Sequence, residues 1–192
     1  VDALGAGPQN PFPSEAYLMA ILEVLRYPDP MLREVSTPAE LNDDTYKFID
    51  AMVTTMFAHR GAGLSAVQVG SLQRIFVIDS LAVDGPVGPS ARASGAMVFV
   101  NPEIIAHSEK MATADEGCLS FPGIFVSIKR PYAVTIRAKN QYGTEFELDA
   151  EGLQARVVQH EFDHLNGTLI IDRVSRIRRQ LLYRKLHKGS AK

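Results

Sequence analysis

A chain of 192 residues, 46% hydrophobic and 22% charged, is long enough to bury a core and has the composition of an ordinary soluble globular protein. Its formal charge of −2 argues against a general nucleic-acid binder, and its one cysteine rules out an internal disulfide framework and fits a reducing compartment. No apolar run approaches the ~18 residues needed to cross a membrane, and no basic-then-apolar signal segment follows Val1.

Residues 1–13, "VDALGAGPQNPFP", are rich in Gly and Pro and lack periodicity, which predicts a flexible lead-in. Ser14 is placed to cap a short helix that the prolines of "YPDP" would stop. Asn42 to His59 form the clearest amphipathic helix, with Tyr46, Ile49, Val53, Met56 and Phe57 as its stripe, Asn42 or Asp43 as its cap and Gly61 as its end. "RIFVID" and "MVFVNP" then read as buried strands, joined by "SLAVDGPVGPSARASGA", a mobile surface loop by composition. Val134, Ile136 and Ala138 alternate as in a half-buried strand, paired through Gly143 in a hairpin with "TEFELDA". From Leu153 to Leu165 apolar residues fall on several sides of a helix (Leu153, Val157, Val158, Phe162, Leu165), as in a helix buried mid-domain, and Asn166-Gly167 stops it. The basic tail "SRIRRQLLYRKLHKGSAK" carries Ile177, Leu181 and Leu182 at helical spacing, which predicts a surface helix docked by one stripe.

The buried helix contains "HEFDH". His160 and His164, four apart, project from nearly one face and can reach one metal ion. His160, Glu161, Asp163 and His164 are four polar groups in five residues of a helix that reads as buried. Without partners they would cost several kcal/mol, and a divalent cation supplies one. Two histidines do not fill a site. The other histidines are His59 at a helix end, His107 in a turn after a strand, and His187 in the tail; the single cysteine, Cys118, lies in "DEGCLSFPG". A lone cysteine is more often a small buried hydrophobe, but the glycine beside it allows close backbone approach and a thiolate binds metal well. "RGAGLSAVQVG" at 60–70 lacks the spacing and lysine of a phosphate loop, and Gln68 is its one amide side chain.

In this order, "GAGLSAVQ", "EGCLS" and "QHEFDH" resemble the three motifs of the peptide deformylases. The second and third agree throughout. The first departs at Ser65, where that family usually has Ala, and at Val67, where many members have Pro. "RYPDPMLR", "NPEI" and "HLNGTLIID" extend the likeness over roughly residues 24–175.

The resemblance implies an α+β fold: antiparallel sheets packed around a central buried metal-bearing helix, with an N-terminal and a C-terminal helix. It implies a catalytic domain at 14–175, preceded by the lead-in at 1–13 and followed by a basic helix and tail at 176–192. It implies hydrolysis of the N-formyl group from the initiator methionine of new polypeptides. Cys118, His160 and His164 would hold the metal, with Glu161 as base and then acid. The Gln68 amide and the Leu119 backbone N–H would stabilise the oxyanion. Gly63 and Val157 would lie at an apolar methionine pocket, and Glu116 would orient a ligand from behind. For Ser65, the expectation is a hydroxyl satisfied on local backbone, so that Ser65→Ala changes activity by less than about threefold.

One divalent metal is implied, Fe(II) in the cell, with Zn(II), Ni(II) or Co(II) as alternatives in purified protein. Formylated nascent chains are the implied partners, with ribosome contact through the basic tail, no membrane and no specific nucleic-acid sequence. The implied setting is a bacterial cytoplasm, or an organelle interior after removal of a targeting segment.

Two rival readings are open to the motif alone. A zinc peptidase usually takes its third ligand downstream as His or Glu, and no fitting residue follows His164. A structural site in a binding module wants four protein ligands, usually with more cysteine.

Overall fold

The computed structural model describes residues 21–83, 85 and 95–189. The lead-in at 1–13, the helix cap at Ser14 and most of the 80–96 loop therefore lie outside the described residues. Residues 21–26, the described end of the Ser14 segment, are not helical. The Leu25 N–H donates to the Gln68 carbonyl at 2.8 Å.

Helix α1 (Asp43–Ala58) starts where the Asn42 side chain accepts the N–H groups of Asp44 and Thr45 at 3.1 and 3.0 Å. Its end is turned by Arg60 at φ 53 rather than by glycine; the Gly61 N–H then closes back on the Met56 carbonyl at 2.9 Å. Tyr46, expected on the buried stripe, is 38% exposed, and Met52 takes a place there.

Five strands form one antiparallel sheet in the order β1 (Gly63–Ser65), β2 (Ile75–Asp79), β3 (Ala96–His107), β6 (Ala133–Lys139), β7 (Glu145–Glu151). Strands β4 (Met111–Gly117) and β5 (Phe125–Pro131) make a separate antiparallel pair. His107 closes β3 instead of lying in a turn, because β3 runs on past Asn101 (φ 51) through two register shifts.

The continuous apolar runs of β2 and β3 follow from cover on both faces. Phe76, Ile78, Met97 and Phe99 pack on the side that holds Val158 and Leu165 of α2 (Gly152–Leu165), while Ile75, Val77, Val98 and Val100 pack with Ile49, Met52 and Met56 of α1. Strands β6 and β7 alternate buried and exposed residues, as sequence alternation predicts for a sheet wetted on one face. Gly152, at φ 57, turns the end of β7 directly into α2 with no intervening loop.

Helix α2 is buried as expected, but not by being apolar all round. Leu153 is 50% exposed, while Gln154, Arg156, Gln159, Glu161 and Asp163 are buried. Helix α3 (Arg176–Gly189) docks through Leu182, Tyr183 and Leu186 against a cluster that includes Phe121, Val126 and Ile128. Ile177 and Leu181, expected in its docking stripe, are 75% and 57% exposed. The architecture is thus α+β, with antiparallel sheets around a buried central helix and further helices before and after it. Among the described residues, no helix is long and apolar enough to cross a membrane.

Candidate metal centre and its cavity

Three stretches distant in sequence meet on one face of α2. The helix presents His160, Glu161 and His164. The turn after β4 brings Cys118 and Leu119, and the 3₁₀ turn Ala66–Val69 after β1 brings Gln68. One ligand atom from each of Cys118, His160 and His164 lies within 4.8 Å of the others, and Cys118 Sγ is 3.2 Å from His164 Nε2. His59 has its Nδ1 3.0 Å from the Thr55 carbonyl on its own helix, and His107 sits at the far end of β3; neither joins the cluster.

The donor set suits a divalent ion. One sulfur and two imidazoles fit a borderline-soft metal, and three protein ligands leave room for water or substrate. His160 Nδ1 is 3.0 Å from Glu116 Oε2, which assigns its proton to that side and leaves Nε2 for the ion. Burial opposes charge on His160, but hydrogen bonds with Cys118 and Glu116 outweigh it and raise its pKa well above the imidazole range. That negative environment attracts a cation. Burial, together with the repulsion of His160 and Arg130, holds His164 well below its ordinary pKa, in the neutral form that ligates.

Glu116 is 5% exposed. It accepts Arg130 Nε and Nη2 at 2.6 and 2.9 Å and Arg156 Nη1 at 2.6 Å. Burial would raise its pKa, but the bonds from His160 and Arg130 prevail and hold it at about 2. Arg130 continues to Asp163 at 2.8 Å, and Asp163 also accepts Arg173 Nε at 2.9 Å. Sequence reasoning passed over Arg130, Arg156 and Arg173. A signal for them existed: a buried helix carrying Glu161 and Asp163 calls for cations, on the helix itself as with Arg156 or on the elements packed against it as with Arg130 and Arg173.

Glu161 is 3% exposed, and its Oε2 has no hydrogen-bond partner among the described residues. Burial pushes its pKa up to about 7, against the pull of His160. A cation in the adjoining site would draw it back down. Gly63 makes room for it: a Cβ there would stand 2.6 Å from Glu161 Oε1 and 2.8 Å from its Cγ.

Gln68 is no surface glutamine. It is 1% exposed, and its Nε2 lies 3.5 Å from Cys118 Sγ and 3.2 Å from Ser120 Oγ. Its Oε1 accepts the Ser65 N–H at 2.9 Å and the Ser65 hydroxyl at 3.1 Å. The Ser65 hydroxyl, expected on local backbone, thus also meets the Gln68 side-chain carbonyl.

A cavity of about 530 Å³ opens onto this centre, lined by Gly63, Gln68, Cys118, Leu119, Val157 and Glu161 among others. Phe125 and Leu153, 73% and 50% exposed, stand at its wall. A half-open chamber with apolar walls and a few convergent polar groups suits a small substrate carrying an apolar side chain.

Comparison with known proteins agrees with this geometry. Residues 21–180 match the family model described as polypeptide deformylase. The peptide deformylase of Alkalilimnicola ehrlichii is 45% identical over 171 residues, covering 88% of this chain and 91% of that protein. The structure of the Ehrlichia chaffeensis peptide deformylase in complex with actinonin superposes with a TM-score of 0.79 at 34% identity, covering 91% of this chain and 100% of that one. A Met-Ala-Ser-bound peptide deformylase from Acinetobacter baumannii superposes with a TM-score of 0.71 at 32% identity, covering 80% and 98%. With its motifs gathered around one ligand cluster and its matched region spanning nearly the whole described chain, this protein belongs to the polypeptide deformylase family.

Proposed function

We propose that this chain hydrolyses the N-formyl group of formyl-methionyl nascent polypeptides, releasing formate and a free methionine amine. The observation that carries the reading is the placement of a buried carboxyl, Glu161, whose Oε2 has no hydrogen-bond partner among the described residues, beside the three-residue cluster onto which the cavity opens. Cys118, His160 and His164 would hold one divalent ion, which when bound supplies Lewis acidity to the attacking water and the formyl oxygen. Glu161 takes a proton from that water as the water oxygen bonds to the formyl carbon. The carbonyl oxygen gains charge, and the Gln68 amide and the Leu119 N–H donate to it. The carbon–nitrogen bond then breaks, its electron pair stays on nitrogen, and Glu161 returns the proton to the leaving amine. The methionine side chain occupies the cavity near Gly63 and Val157. Glu116 keeps the His160 ring turned toward the ion.

The catalytic unit in this reading is 14–175. The helix and tail at 176–192, where Arg176, Arg178 and Arg184 are exposed, face the ribosome. The setting is a bacterial cytoplasm or an organelle interior. Fe(II) is the ion in the cell, because the donor set suits it and the family likeness favours it. An iron centre with a thiolate ligand is open to oxidation at the metal or at the Cys118 sulfur. The test is to strip the protein, reload Fe(II), Zn(II), Ni(II) or Co(II) separately, and measure formate release from formyl-Met-Ala-Ser with and without air. The expected result is highest activity for Fe(II), lost in air, with Ni(II) activity persisting. Equal, air-stable Zn(II) and Fe(II) activities would remove iron; no formate with any ion would overturn the function itself.

A further inference from the structure

We propose that Ser65 is a positioning residue: its hydroxyl locks and polarises the Gln68 amide that serves the oxyanion. The inference rests on the reading of Gln68 as an oxyanion donor. A glutamine amide has two ends of similar shape and opposite chemistry, and only the NH₂ end stabilises negative charge. The Ser65 backbone N–H, a donor only, sits 2.9 Å from Oε1 and fixes which end faces the sulfur. The Ser65 hydroxyl sits 3.1 Å from the same oxygen. Because Oε1 can only accept, the hydroxyl proton points to it, and the carbonyl receives two donors.

Two consequences follow. The terminal torsion of a glutamine is broad and nearly free in isolation, and a second donor narrows it. Two donors on the carbonyl also draw electron density to oxygen and strengthen the N–H groups at the other end. At that end Nε2 is anchored on Ser120 Oγ at 3.2 Å and lies 3.5 Å from Cys118 Sγ, at the metal cluster. Water does not compete for the hydroxyl: Ser65 is 0% exposed and pairs in register with Phe76 of β2. Alanine at this place would retain the backbone bond and lose the second donor.

The experiment is a double-mutant cycle on the metal-loaded enzyme, with kcat and KM for formyl-Met-Ala-Ser measured for wild type, Ser65→Ala, Gln68→Ala and the double variant. Ser65→Ala should lower kcat roughly fivefold, about what one net hydrogen bond contributes, with KM within about twofold and metal content unchanged. In the Gln68→Ala background the same change should alter kcat by less than about 1.5-fold. Ser65→Cys, which preserves shape but donates weakly, should behave as Ser65→Ala and guards against a packing effect. An equal loss in both backgrounds, a change confined to KM, or full activity in Ser65→Ala would overturn the proposal. If Gln68→Ala itself leaves kcat unchanged, the failure lies in the oxyanion assignment instead.

Discussion

Gly63 shows how closely the site is built at the scale of single residues. The position lacks a side chain because the Glu161 carboxylate fills the space: an added Cβ would lie 2.6 Å from Oε1. Gly63→Ala should therefore push the carboxylate off its place without exposing core. The expected outcome is a fall in kcat of roughly tenfold or more, with metal content and far-ultraviolet circular dichroism unchanged, since displacement of a reacting group by a fraction of an ångström is costly. Full turnover in that variant would mean that Glu161 tolerates displacement and is no catalyst. Cys118, His160, His164, Glu161, Gln68 and Leu119 were legible as candidates in the sequence because each lies in a short contiguous motif, and the fold brings them around one cavity. The partners of Gln68 were only half legible. Ser65 stood out as a departure from the family pattern, yet nothing local said that its hydroxyl turns toward Oε1.

At the scale of elements, the β4–β5 pair went unread, and with it the ion network that supports α2. Strand β4 buries only Glu116 fully, so it has no apolar alternation to detect. Arg130 sits in "IKRP", which reads as a wet strand end, yet it is 3% exposed and bridges Glu116 and Asp163. A guanidinium buried by tertiary contact leaves no periodic trace. Arg130→Met should take one buried guanidinium from both carboxylates, leaving Glu116 to Arg156 and Asp163 to Arg173, and cost about 3–5 kcal/mol, read as a lower urea midpoint with an unchanged slope. A midpoint within error of wild type would show that the remaining arginines carry the pair.

The turn after α2 supplies a pH-dependent counterpart. Asp172 would have its pKa raised by burial, but the Arg33 side chain and the Leu169 N–H, at 2.9 Å, hold it below the usual range. A carboxylate with a depressed folded pKa stabilises above its unfolded pKa of about 3.9 and loses that contribution as pH falls through the folded value. The difference in melting temperature between wild type and Asp172→Asn should be constant from neutrality to about pH 5 and shrink below about pH 4. A difference that grows on acidification would contradict the assignment.

For the molecule as a whole, individual strands were legible, β2 and β3 as continuous apolar runs and β6 and β7 as alternating ones, while the α+β class came from the resemblance of the three motifs. The two-sided cover that explains the contrast, α1 on one face and α2 on the other, depends on which helix meets which face and is not written locally. The same folding brings ligand atoms of Cys118, His160 and His164 within 4.8 Å and sets Glu161 beside them, its Oε2 without a hydrogen-bond partner among the described residues. Under the proposed function, Cys118, His160 and His164 hold the metal and the Glu161 carboxylate is left for chemistry. Glu161→Gln tests this most directly, with bound metal per chain and formate release from formyl-Met-Ala-Ser measured on the same sample. The account predicts the wild-type metal stoichiometry and a loss of roughly a hundredfold or more in kcat, the scale of a removed general base. Loss of the metal along with activity would make Glu161 a ligand, and retained turnover would remove it from the reaction.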